Sequence, residues 1–156
     1  MQDNILETET TMHIDFKKAI VAGLIGTALM TMIGLWVAPM MGIPRMNPAE
    51  MLAQPMGGSI VLGWMGHLMI GVMLAIIYAA VAQWLPGPSW VRGALFGVVP
   101  WLVAQLFVIP MMGMPLFSGS VVMAMGSLVG HLVYGAAVGA VYGPGVLRPT
   151  GRAAVA

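Results

Sequence analysis

The sequence predicts an all-α membrane protein, a bundle of four transmembrane helices built from two tandem helix hairpins. Three observations carry that prediction. Of the 156 residues, 60% are hydrophobic before glycine is counted and only 7% are charged, whereas about a quarter of a soluble domain is charged. Between Ala19 and Leu147 the only formal charges are Arg45, Glu50 and Arg92, too few to cover a soluble surface. The chain also repeats itself. Val37-Ala-Pro-Met-Met-Gly-Ile-Pro44 returns as Val108-Ile-Pro-Met-Met-Gly-Met-Pro115, and Gly66-His67-Leu68, Gly71 and Tyr78 return as Gly130-His131-Leu132, Gly135 and Tyr142.

The elements follow in order. Residues 1–16 form an acidic tail (Asp3, Glu7, Glu9, Asp15) that is expected to stay mobile in water. Four helices are expected over roughly 17–38, 58–84, 90–112 and 119–143. Each exceeds the approximately 20 apolar residues needed to cross a hydrocarbon core of about 30 Å. The first is too long, and its flank too acidic, for a signal peptide. After it, Asn47-Pro48-Ala49-Glu50 reads as a helix start, with Asn as cap and Pro in the first turn, so a short interfacial helix is expected near 48–54. Leu85-Pro86-Gly87-Pro88 is a turn, bracketed by Trp84 and Trp90 as interface anchors. Pro100 should kink the third helix, since it removes a backbone donor. Residues 144–156 form a second tail.

The repeat gives the organisation of the 17–143 domain. Val37 aligns with Val108, an offset of 71, and His67 aligns with His131, an offset of 64. Repeat one covers 17–84 and repeat two covers 88–143. Both copies run in the same direction, which predicts a pseudo-twofold axis along the membrane normal, with the second and fourth helices near it. Lys17, Lys18, Arg92, Arg148 and Arg152 share one side and Arg45 lies on the other. The positive-inside rule then puts both termini in the cytoplasm.

His67, Gly71, Ala75 and Tyr78 fall on one helical stripe, as do His131, Gly135, Gly139 and Tyr142. Small residues at this spacing let helices approach closely, so the histidine stripe is expected to face the bundle interior. A polar residue inside a span is costly and points to function. Two neutral imidazoles could ligate one b-type haem, with Gly71 and Gly135 making room and Tyr78 and Tyr142 lying further along the stripe, or they could hold copper or zinc. They could equally be hydrogen-bonded without any cofactor. Two ligands fall short of a structural zinc set. Met40, Met41, Met111 and Met112 could offer thioethers to Cu(I) at the outer face. The preferred reading of Pro-Met-Met-Gly is a helix stop made twice, with methionine as adaptable filler. Gln105, Thr27 and Thr31 are the other polar candidates inside the spans, and Gly126 and Gly130 could serve a homo-oligomer or internal packing.

Several classes are disfavoured. The net charge is +1, with no basic stripe for nucleic acid, and cysteine is absent. No carboxylate lies within the spans, which argues against acid–base catalysis and the usual proton relay. The expectation is therefore a non-enzymatic protein in contact with the lipid bilayer, cofactor-binding or an accessory subunit of a membrane complex. With four spans, Gly-His in the second and fourth, and Pro-x-x-Gly-x-Pro after the first and third, residues 18–143 resemble bacterial four-span membrane proteins of the YagU-like kind. That resemblance implies a bacterial inner-membrane address and brings no catalytic residue.

Overall fold

Four long apolar helices account for most of the chain in the computed structural model, which describes residues 10–12, 14–144 and 147–149. Span 1 is Phe16–Met40, span 2 Ile60–Trp84, span 3 Ser89–Met111 and span 4 Val121–Tyr142. All are within a few residues of the sequence boundaries. The short helix of the first outer loop forms at Pro48–Ala53, with the Asn47 side chain accepting from the Ala49 and Glu50 amides at 3.1 and 3.4 Å. The tails expected over 1–16 and 144–156 fall largely outside the described residues. Within them, Thr10–Met12 pairs antiparallel with Leu147–Pro149, a short ribbon that the sequence reading did not anticipate.

The Pro-Met-Met-Gly blocks are helix stops, matched bond for bond. In the first, Gly42 N–H donates to Pro39 O and Ile43 N–H to Ala38 O; in the second, Gly113 N–H donates to Pro110 O and Met114 N–H to Ile109 O. This is the paired bonding of a left-handed C-terminal cap. Gly42 and Gly113 both have φ +78°, a conformation that costs a side-chain-bearing residue steric strain.

The repeat also extends to a backbone irregularity. Spans 1 and 3 each contain one π-helical turn, at Ile33–Val37 and Ala104–Val108, again 71 residues apart. Each ends two residues before Pro39 or Pro110. A proline cannot donate to the carbonyl four residues back and its ring crowds that carbonyl. Widening the preceding turn relieves the clash, with Ala38 N–H reaching Ile33 O and Ile109 N–H reaching Ala104 O. The bend expected from Pro100 is therefore joined by a second device that has a counterpart in span 1, where no proline matches Pro100.

Lipid tails are as apolar as leucine, so packing of small residues rather than water exclusion holds such helices together. Spans 3 and 4 meet backbone to backbone. A Cβ added at Gly93 would overlap Gly135 O, one at Gly135 would overlap Gly93 O, one at Gly139 Ser89 O, and one at Gly97 His131 O. Span 1 is packed between spans 2 and 4. Gly23 abuts Val72 and Gly71, while Gly26 abuts Tyr134 and Val138. Spans 2 and 4 touch only lightly, and spans 2 and 3 meet chiefly through Tyr78 and Phe96, whose rings lie 5.5 Å apart.

The central pair is therefore spans 1 and 4, not spans 2 and 4 as the sequence reading placed them. The reason is that span 1 is small on two faces, with Gly23 toward span 2 and Gly26 toward span 4, so it can serve two neighbours at once. The outer loop folds back onto the bundle, placing Ala49 O against Gly63 and Met46 O against Gly34. A Gly135→Val variant is expected to lose about 1–3 kcal/mol, the usual cost of overpacking, in reversible denaturation in mixed micelles. The lipid-facing Met69→Ala should fall within about 0.5 kcal/mol of wild type in the same titration.

Candidate functional site

His67 on span 2 is 7% exposed, while His131 on span 4 is half-buried. Their shared depth follows from three contacts. Thr31 on span 1 reaches His67, with Oγ1 3.0 Å from Nε2. Met30, the residue before Thr31, lies against Gly130, the residue before His131. One turn further in, the Tyr134 hydroxyl of span 4 donates to Gly71 O of span 2 at 2.6 Å.

The hydrogen bonds set the tautomers. Thr27 Oγ1 donates to Gly23 O and Thr31 Oγ1 donates to Thr27 O, each at 2.7 Å. A threonine hydroxyl has one proton. With that proton committed, the contact to His67 is made by Nε2–H donating to Thr31 Oγ1, and Nδ1 keeps its lone pair. On His131, Nδ1 lies 2.8 Å from Ser127 O. A carbonyl only accepts, so Nδ1 carries the proton and Nε2 keeps the lone pair. Each ring thus has one nitrogen held by its surroundings and one left without a partner among the described residues.

The copies differ because their neighbours differ. Thr31 corresponds to Leu102, so span 3 offers His131 no hydroxyl and the ring turns to its own helix. Tyr134 corresponds to Ile70, so the span 2–span 4 bond is made from one copy only. Tyr134 was missed at the level of sequence. Its signal was present, since it lies one turn from His131 beside the Gly130 and Gly135 stripe and is fully apolar on its flanks apart from one hydroxyl that needs a partner.

The remaining candidates separate. Gly71 and Gly135 close helix pairs instead of lining a slot, with Gly71 against Thr27 and Gly135 against Gly93. Tyr78 and Tyr142 do not join the histidines. They pack edge to face 6.1 Å apart at the end of the bundle that carries the termini. There Tyr78 OH donates to Ser89 O at 3.1 Å, Tyr142 OH accepts from the Asp15 amide at 3.3 Å, and Lys18 Nζ donates to Tyr142 O at 3.4 Å.

The four motif methionines are not gathered. Met40 and Met111 are 87% and 86% exposed, and spans 1 and 3 lie on opposite sides of span 4. Gln105, in the π turn of span 3, is 1% exposed with its Oε1 unpartnered. Among the described residues no three of His, Cys, Asp and Glu lie together.

These features define a class, a four-span membrane bundle with an imidazole pair in its interior. Residues 14–151 match the family described as a family of unknown function (DUF6789), and the chain belongs to that family. No curated protein and no solved structure matches the chain.

The bonding pattern separates the two histidines energetically. Thr31→Val and Tyr134→Phe are each expected to destabilise the bundle by about 0.6 kcal/mol and at most about 1.7 kcal/mol, the range for buried polar contacts between membrane helices. His131→Leu, which breaks only a bond within its own helix, should cost less than Thr31→Val in the same mixed-micelle titration.

Proposed function

We propose that the protein is a non-enzymatic membrane subunit that holds one soft metal ion, copper(I), between His67 and His131. The observation that carries this reading is the pair of free ring nitrogens, one on the buried His67 and one on the half-buried His131, with the opposite nitrogen of each ring already hydrogen-bonded. Ligating histidines are held in this way, their second nitrogen donating to an oxygen that fixes tautomer and ring direction. His131 strengthens the case. Its one hydrogen bond stays within span 4, so gluing helices does not account for its place in the interior.

The donor set favours copper over zinc, because no carboxylate or thiolate stands near and imidazole and thioether are copper(I) ligands. Met30, whose Cγ would lie 3.4 Å from a Cβ at Gly130, offers a third donor at the histidine level. The exposed outer methionines are not required. Haem suits the two imidazoles but not their surroundings. Tyr134 ties span 4 to span 2 beside the histidines, and Gly71 and Gly135 are filled by neighbouring helices, which argues against a porphyrin between them. The bundle would sit in a bacterial inner membrane with its termini-bearing end in the cytoplasm, as Lys17, Lys18 and Arg92 support; Arg45 at the other end is engaged by Glu50 at 3.8 Å.

A second reading, a structural subunit with hydrogen-bonded histidines, is favoured by the His67–Thr31 contact and by the bond from His131 to Ser127 O. Elemental analysis and an absorption spectrum of protein purified from copper-supplemented, haem-replete cells decide between them. One copper per chain, lost in His67→Ala and in His131→Ala and reduced in Met30→Leu, is the expected result. A Soret band would replace copper by haem, and a colourless, metal-free sample would leave the structural reading.

A further inference from the structure

Gln105 stands in the π turn of span 3 with 1% of its surface exposed, and its side-chain oxygen has no hydrogen-bond partner. A buried acceptor without a donor carries a desolvation cost that contact with water would recover. Repeat one has no such group at the corresponding position. Gly34 brings no side chain there, and its carbonyl accepts the Met46 amide. Among elements distant in the chain, the one packed chiefly on the span 3 π turn is Leu116–Gly119 of the second outer loop.

That segment is strained. Phe117, Ser118 and Gly119 all take left-handed backbone, with φ +55°, +58° and +64°. Residues with side chains visit this region singly, and a bulky one is an outlier there. The helix start that follows does not impose the strain. Span 2 also begins on a capping serine, Ser59, as span 4 begins on Ser120. The two left-handed residues before Ser59 are Gly57 and Gly58, at φ +69° and +80°, and glycine takes this conformation freely. Repeat two holds a phenylalanine and a serine in it instead. A ring contact keeps them there. Phe117 lies 6.0 Å from Trp101 on span 3, and the Trp101 indole is fixed by its bond to Ala124 O at 3.0 Å. Trp101 is one helical turn from Gln105.

We propose that Leu116–Gly119 is a latch. It rests closed over Gln105, clasped by Phe117 on Trp101, and opens by relaxing Phe117 and Ser118 to extended backbone, which admits water to the Gln105 amide. Loop strain and the unpaired acceptor beneath it are separate costs of one closed arrangement, and a single movement relieves both. A π turn is a frequent place for such a hinge. The latch lies at the end of the bundle opposite the termini, and it is independent of metal binding by the histidines.

The chain has no cysteine, so Gln105→Cys gives the full chain a single thiol. Its reaction with a charged, water-soluble methanethiosulfonate in mixed micelles is followed by mass spectrometry. The thiol should label completely but more slowly than that of Leu116→Cys, a reference on the exposed side of the loop. Adding Ser118→Gly removes strain from the closed form and should slow labelling about fivefold, the ratio for one side chain in the left-handed region. Adding Phe117→Ala removes the clasp and should speed labelling about fivefold. Labelling as fast as the reference, no labelling at all, or a rate that neither substitution moves would overturn the proposal. Should the Gln105→Cys chain fail to fold, hydrogen exchange at the Ser120 amide, which donates to Phe117 O at 3.2 Å, decides with Gln105 in place. Ser118→Gly should slow that exchange about fivefold, and an equal rate excludes the latch.

Discussion

Backbone-to-backbone approach between helices is the interaction on which this structure depends. In lipid there is little to gain from hiding one apolar side chain against another, so affinity between helices comes from contact density and a few polar bonds. At Gly93 and Gly135 each helix occupies the space where the other's Cβ would stand. That single reciprocal contact sets the separation of spans 3 and 4, and with it the positions of His131, Trp101 and Gln105. The Trp101 indole can reach Ala124 O at 3.0 Å because the helices are already this close. On the other side, Gly23 and Gly26 let span 1 lie against two neighbours and bring Thr31 to His67.

The duplication survives in what each span does alone and fades in what spans do together. The proline-driven π turns and the glycine caps recur almost atom for atom, since they depend on residues within a few positions of one another. Packing does not recur in the same way. Gly93 of span 3 corresponds to Ala22 of span 1, Tyr134 to Ile70 and Leu102 to Thr31. Each of these exchanges changes a contact between helices. The consequence is a pair of histidines at one depth with different bonding, one bound across to span 1 and one turned to its own helix. The two copies therefore differ most at the histidine level, where their neighbours differ.

Much of the interior polarity is accounted for within that arrangement. Thr27, Thr31 and His67 form a short chain of hydrogen bonds ending at Gly23 O. Tyr134 and Tyr78 each find a carbonyl on a neighbouring element. Besides the second nitrogen of each imidazole, two fully enclosed polar atoms stand outside it, Gln105 Oε1 and Arg92 Nε. The first occupies the position where repeat one has Gly34, whose carbonyl accepts the Met46 amide of the longer outer loop at 3.0 Å. Repeat two has a loop shorter by seven residues and no equivalent of Met46, so a side chain fills the space.

The number of spans, their limits, the helix stops and the short capped helix at Pro48 were legible in the sequence, because each rests on local chemistry: an apolar length, a proline, a glycine free to take positive φ, an asparagine that can accept from free amides. The burial of the small residues and of His67 on the two stripes was legible too, since small residues at helical spacing mark a packed face, while His131 is half-buried. Which helix would lie against that face was not. A stripe of Gly71 and Ala75 is equally ready for span 1, span 3 or span 4, and the choice depends on how well whole surfaces interlock. Only the tertiary structure decided that spans 1 and 4 form the centre, that Gly71 and Gly135 are filled, and that Thr31 and Tyr134 stand beside the imidazoles. Contacts between residues distant in the chain are settled by packing the entire bundle at once, and no local pattern contains that information.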